Sequence, residues 1–227
     1  MNRTPFPTAR DIVAEEHWTH KGATKLYLFR KFSPAAQLEH PGRPLVFLVH
    51  GSSFSSRTTY DLNIPGEGEY SLMNVFASLG YDVWTMDHEG YGRSGRTEGF
   101  SFIADGVLDL EAAMALVEAE TGVASAGFFG TSSGALRAAR FTNEHPERVE
   151  RLSLAALVWT GEGSPTLAKR AQRIEEWRAS NRRVVDEQAY RAIFSRDVTG
   201  LTIDALPAVA AAAEMDNGGG SVPNGTY

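Results

Sequence analysis

Ser132 stands at the centre of Gly130-Thr131-Ser132-Ser133-Gly134, a G-x-S-x-G pattern, and its hydroxyl is the chain's leading candidate nucleophile. An apolar run from Ala126 stops at Gly130, and a helix-forming run from Ala135 to Phe141 begins after Gly134. A strand that doubles back into a helix leaves no room for side chains beside the bend, which is what the two glycines provide. Such a bend lifts the Ser132 hydroxyl above the sheet and aims the unbonded N–H groups of the new helix at a developing oxyanion. Glycine and serine are common in any loop, so the pattern draws its weight from lying between a strand and a helix. The chemistry expected is covalent attack by serine on a carbonyl, with the charge held by backbone amides.

The elements around this turn follow from periodicity. Ile12 to Thr19 and Lys25 to Phe32 alternate as two strands joined at Lys21-Gly22, and Ser33 to Pro44 is expected as a loop. Pro44 to Val49 is continuously apolar, as a strand buried on both faces of a parallel sheet should be. It ends at His50-Gly51-Ser52-Ser53, and Ser52 to Glu69 is expected as a long Gly/Ser-rich loop. A helix over Tyr70 to Leu79, a strand over Tyr81 to Met86, and a helix from Phe102 to Glu120 stopped by Gly122 come next. After the Ser132 turn and its helix, Val149 to Trp159 is another strand. Alternating strands and helices predict an α/β fold, a mostly parallel sheet with helices on both faces. Beyond Gly161 the character changes: an amphipathic helix over Ser164 to Asn181, another over Asp186 to Phe194, and an alanine-rich third over Ile203 to Met215. Asp216 to Ser221 is too rich in glycine for a regular element.

Composition narrows the partners. The chain has 227 residues, enough for one sizeable core and a small subdomain. A net charge of −6 and a pI near 5.5 argue against a nucleic-acid partner. With no cysteine there is neither a thiolate nucleophile nor a disulfide. Residues 1–10 lack the apolar stretch of a signal peptide, and no apolar run approaches the roughly 20 residues that span a bilayer, so a cytoplasmic location away from membranes is expected. His17, His20 and His40 lack ligand spacing, so no metal is expected, and serine chemistry needs no cofactor.

Three motifs in order resemble the α/β-hydrolase superfamily: His50-Gly51 after the first buried strand, Asp87-x-x-Gly90-x-Gly92-x-Ser94 after the second, and Gly130-x-Ser132-x-Gly134 after the third. Asn143 to Val149, leading into the following strand, fits as well. The resemblance covers residues 12–160 and implies that 1–160 form the N-terminal part of the core, 161–215 a helical cap, and 216–227 a flexible end or cleavage region. It implies that Ser132 is the nucleophile, that the Ser133 amide is the first oxyanion donor and Ser52, or alternatively Ser53, the second, and that Ser53 and Trp159 face the substrate. Glu162, after the strand that follows the nucleophile, sits where some members place the acid. His50 and the Asp87-His88 loop are expected to be structural. The expected activity is hydrolysis of an ester, amide or lactone of a small molecule through an acyl-enzyme. C–C bond hydrolysis on the same fold, and a non-catalytic ligand-binding or interaction role, are the alternatives.

One departure stands out. In this superfamily the acid and then the histidine follow the nucleophile on later loops. After Ser132 the only histidine is His145, about 15 Å or more away along the nucleophile's own helix. The late strands and the catalytic histidine are missing from this sequence. Either the chain is the N-terminal piece of a hydrolase completed by a second polypeptide, or it is a shortened, inactive relative.

Overall fold

The alternating N-terminal stretch forms a hairpin, β1 (Val13–Lys21) and β2 (Thr24–Phe32), paired antiparallel from Val13–Phe32 to Lys21–Thr24. The computed structural model describes residues 11–157, 160–194 and 204–226. After the hairpin come α1 (Pro34–Glu39), β3 (Leu45–Val49), α2 (Ser56–Tyr60), α3 (Leu72–Ser78), β4 (Asp82–Met86) and α4 (Ile103–Thr121). Then follow β5 (Ala126–Thr131), α5 (Ser133–Glu144), a 3-10 turn (Pro146–Arg148) and β6 (Val149–Ala155).

The six strands form one sheet in the order β1-β2-β4-β3-β5-β6, with β2 antiparallel to β4 and the pairs from β4 to β6 parallel. Each parallel step crosses over through a helix, so helices fall on both faces. Side-chain alternation shows which face each residue serves. Phe47, Trp84, Met86 and Phe128 pack with Leu110 and Met114 of α4 and Phe141 of α5. Their neighbours Leu48 and Val83 point the other way, with Met73 and Ala77 of α3. β3 is therefore lined by core on both sides, as its unbroken apolar sequence requires.

Two of the expected loops hold short helices. Pro34 at the first helical position and the Ser33 hydroxyl, which accepts from the Ala36 amide, start α1. α2 begins at Ser55-Ser56, where two buried carboxylates take the orphan donors described below. Helices of five or six residues are too short to show periodicity in the sequence.

From residue 160 the chain forms α6 (Pro165–Ala171), α7 (Ile174–Ala179), β7 (Arg182–Val184), α8 (Glu187–Ile193), α9 (Leu206–Asp216) and β8 (Ser221–Pro223). The single amphipathic helix expected over Ser164 to Asn181 is broken at Gln172-Arg173. The break turns Trp177 inward to 7% exposure while Ile174 stays 37% exposed, so they do not share one buried stripe. The glycine-rich end is more ordered than its composition suggests. Gly218 and Gly220, at φ 91° and 95°, reverse the chain so that β8 pairs antiparallel with β7. Among the described residues no helix is long and apolar enough to cross a membrane.

β6 breaks the pattern of the central strands. Glu150 to Leu154 are all exposed, Leu152 and Leu154 at 36% and 37%, and the outer edge of β6 carries no strand among the described residues. The expected strand ran on to Trp159, but Val158 and Trp159 lie outside the described residues.

Candidate active site

Ser132 is the residue between β5 and α5, and its backbone is at φ 55° and ψ −124°. A non-glycine residue pays a steric cost at positive φ, so the surroundings must impose it. The surroundings are packed backbone. A Cβ on Gly134 would lie 2.3 Å from the Val49 oxygen and 2.4 Å from the His50 oxygen, and one on Gly130 would lie 2.6 Å from the Gly134 oxygen. The two glycines of the pattern therefore allow the start of α5 to press against the end of β3. Ser132 is left exposed while Ser133, Gly134 and Ala135 are buried.

The donors of the candidate oxyanion hole converge on this turn. Ser133 opens α5, so its amide has no partner within the helix. Gly51 lies against Ser132, where a Cβ would be 3.1 Å from Ser132 Cβ, and Ser52 follows it, 3% exposed. Ser53 is half-buried one residue further along. The structure thus brings Ser132, Ser133 and the Gly51-Ser52 segment together. Glu162 is exposed in a turn, its amide facing the Thr160 hydroxyl, and no contact joins it to Ser132. Trp159 lies outside the described residues.

The loop that presents Ser52 is held from below by His50. The His50 Nδ1–H donates to the Gly51 oxygen at 2.6 Å, and Nε2 accepts from the His88 amide at 3.1 Å. These partners assign the tautomer and occupy both nitrogens. Burial, aided by the nearby Arg137 charge and opposed by Asp87, pushes the His50 pKa down to about 4. His50 is a neutral strut.

Asp87 and His88 have structural partners too. Asp87 Oδ1 accepts from the Ser56 amide and hydroxyl at 2.8 and 2.6 Å, and Oδ2 from the Arg93 amide at 2.9 Å. His88 Nδ1 meets Asp109 Oδ2 at 3.0 Å, and Lys21 bridges Asp109 and Glu89 at 2.5 and 2.6 Å. Burial, with the charges of Arg137 and Lys21, holds His88 well below the ordinary histidine range. Arg137 of α5 is fully buried and donates to the Ser101 oxygen and hydroxyl at 2.9 and 3.0 Å. Gly106 of α4 makes room for it, since a Cβ there would meet the arginine stem at 2.4 Å.

Among the described residues no imidazole or carboxylate contacts the Ser132 hydroxyl. His145 caps the far end of α5, about 18 Å away by helix rise, with Nε2 2.7 Å from Glu111 Oε1. Glu111, Glu144 and His145 have the ligand types for a metal, but Arg140 already pairs with Glu144 at 2.7 Å, and the group lies at the opposite end of α5 from Ser132. Sequence reasoning missed Arg137, Asp109, Lys21 and Glu214, which build the polar floor and flank of the site. Glu214 left one trace, a carboxylate directly after the four alanines Ala210 to Ala213.

Comparisons with known proteins bear on the fold and the family. Three solved structures share the fold at 17–18% identity. A thioesterase domain from the curacin biosynthetic pathway superposes with a TM-score of 0.57 over 93% of this chain and 69% of its own. An E-2-(acetamidomethylene)succinate hydrolase gives 0.57 over 94% and 70%. The 2-hydroxy-6-oxo-6-phenylhexa-2,4-dienoate hydrolase of Rhodococcus sp. strain RHA1 gives 0.54 over 80% and 58%. The chain thus spans between 58% and 70% of these three structures. No curated protein matches it. The family model described as serine aminopeptidase, S33, matches residues 40–202, which include all three strand-end motifs. The chain belongs to this serine aminopeptidase S33 family of α/β-hydrolases, and is a hydrolase by family.

Proposed function

We propose that this chain carries the nucleophile of a serine hydrolase acting on an ester, amide or lactone of a small molecule. The observation that supports this most strongly is the backbone of Ser132, at φ 55° between Gly130, which packs on the start of α5, and Gly134, which packs on the end of β3. Strain of this kind persists only where the structure over-determines it, and here it presents a hydroxyl at the head of a helix. In the proposed reaction Ser132 Oγ bonds to the carbonyl carbon while its proton passes to an imidazole. The oxyanion is held by the Ser133 and Ser52 amides, and the leaving group departs with that proton. Water then attacks the acyl-enzyme through the same imidazole, releasing the acid and restoring Ser132.

The imidazole is proposed to come from a polypeptide outside this sequence. β6 supplies the place, because among the described residues no strand pairs with its outer edge and Glu150 to Leu154 are all exposed, whereas parallel strands are normally covered. A strand laid on that edge, about 4.8 Å beyond β6, would end beside the Ser132 turn. Glu162, on the turn after β6, is then the candidate acid for orienting the imidazole.

Ester hydrolysis by the assembled protein and by Ser132→Ala tests the reading. The rate should fall by at least about a thousandfold. A Ser132→Ala protein with the wild-type rate would remove Ser132 from the chemistry.

A further inference from the structure

Ser55 closes the loop that carries Gly51 and Ser52, and it is held from a distant part of the chain. Glu214 Oε2, on α9, accepts from the Ser55 amide at 2.9 Å and from the Ser55 hydroxyl at 2.8 Å, across 159 residues of sequence. The Thr58 hydroxyl of α2 lies 3.4 Å from the Ser55 hydroxyl beside it. The next residue, Ser56, gives its amide and hydroxyl to Asp87. Two buried carboxylates from opposite directions thus take the amide and hydroxyl of two consecutive residues. Negative charge at the start of a helix is favourable, and both carboxylates sit at the start of α2.

Glu214 is only 1% exposed. Burying a carboxylate is costly unless its oxygens are satisfied, and burial with the nearby Asp87 does push its pKa up while the serine and threonine donors pull it back. Seating α9 does not require that cost, because Ala210 and Val209 already pack on Leu62 and Ile64. What the carboxylate adds is a directional hold on Ser55, four residues beyond Gly51, which itself touches Ser132.

We propose that Glu214 is a positioning residue for the oxyanion loop, fixing through Ser55 how Gly51 and Ser52 lie against Ser132 and tying the seating of α9 to catalysis. This rests on the reading of Ser132 as the nucleophile. A displacement of about 1 Å in such a loop can cost about a hundredfold in rate.

The experiment compares wild type, Glu214→Ala and Glu214→Gln in the assembled protein with two readouts. Amide hydrogen exchange follows residues 51–56 against β3 and β5. Phosphonylation of Ser132 by a fluorophosphonate is resolved into its limiting rate and its apparent binding constant. Glu214→Ala should raise exchange over 51–56 with β3 and β5 unchanged, and lower the limiting rate about tenfold or more at constant binding. Glu214→Gln keeps a carbonyl oxygen for the Ser55 amide and should recover the rate to within about threefold. A folded Glu214→Ala protein with the wild-type limiting rate overturns the proposal. So does exchange that rises throughout the sheet, which marks general loosening. If wild type takes no probe, the nucleophile reading fails, while exchange over 51–56 still decides whether Glu214 holds the loop.

Discussion

The Ser132 amide donates to the carbonyl oxygen of Ala155 at 2.9 Å, so the candidate nucleophile is tied to the last residue of β6, the edge strand of the sheet among the described residues. β6 is both a support of the Ser132 turn and the strand with exposed residues from Glu150 to Leu154 and, among the described residues, no strand on its outer edge. Anything that covers β6 arrives next to Ser132.

Charging that surface separates its two roles. Leu152→Lys with Leu154→Lys should change the stability of the isolated chain by less than about 1 kcal/mol, because both side chains are already more than one-third exposed. It should suppress self-association of the isolated chain, since lysines on an open edge oppose strand pairing. Sedimentation velocity and urea unfolding measure both effects. Unchanged self-association would show that β6 is not the sticky surface.

The Ser132 turn should not tolerate a methyl group. Gly134→Ala places a Cβ against the Val49 and His50 carbonyls, which are backbone and cannot swing aside. A loss of about 1–3 kcal/mol or more is expected, together with loss of Ser132 reactivity. Urea unfolding reads the first, and a wild-type midpoint would mean the start of α5 is not pressed on β3 as described.

Stability should fall as the solution is acidified from pH 6.5 towards 4. His50 has a folded pKa of about 4 against an ordinary value near 6.5, and His88 is shifted in the same direction. Below pH 6.5 the unfolded chain binds these protons and the folded chain does not, so unfolding is favoured progressively until the folded pKa is reached. Glu214, with its raised pKa, acts in the opposite sense above its ordinary value of 4.5. Thermal melts across that range should show a falling midpoint that flattens in His50→Asn. A flat wild-type profile would contradict buried neutral histidines.

The strand ends were the legible part of the sequence, and the reason is steric. His50-Gly51, Asp87 to Ser94 and Gly130 to Gly134 carry small residues where backbones touch, and small residues at fixed spacing are visible without a structure. Asp87 and His88 were expected to be structural, and their observed partners are Ser56, Arg93 and Asp109. Those partners could not be named from the sequence, because side-chain pairing across 21 or 31 residues leaves no periodic trace. The same holds for Glu214, paired across 159 residues. β8 was missed for a different reason: two glycines that look like disorder are the reversal that brings Ser221–Pro223 beside β7.

The measurement closest to the central claim is denaturing intact-mass spectrometry of the assembled protein after fluorophosphonate treatment, with peptide mapping of the adduct. The account predicts one adduct on the 24.7 kDa chain, located at Ser132, and a second polypeptide bearing a histidine in the same preparation. No adduct, or an adduct mapped to another residue, would contradict it.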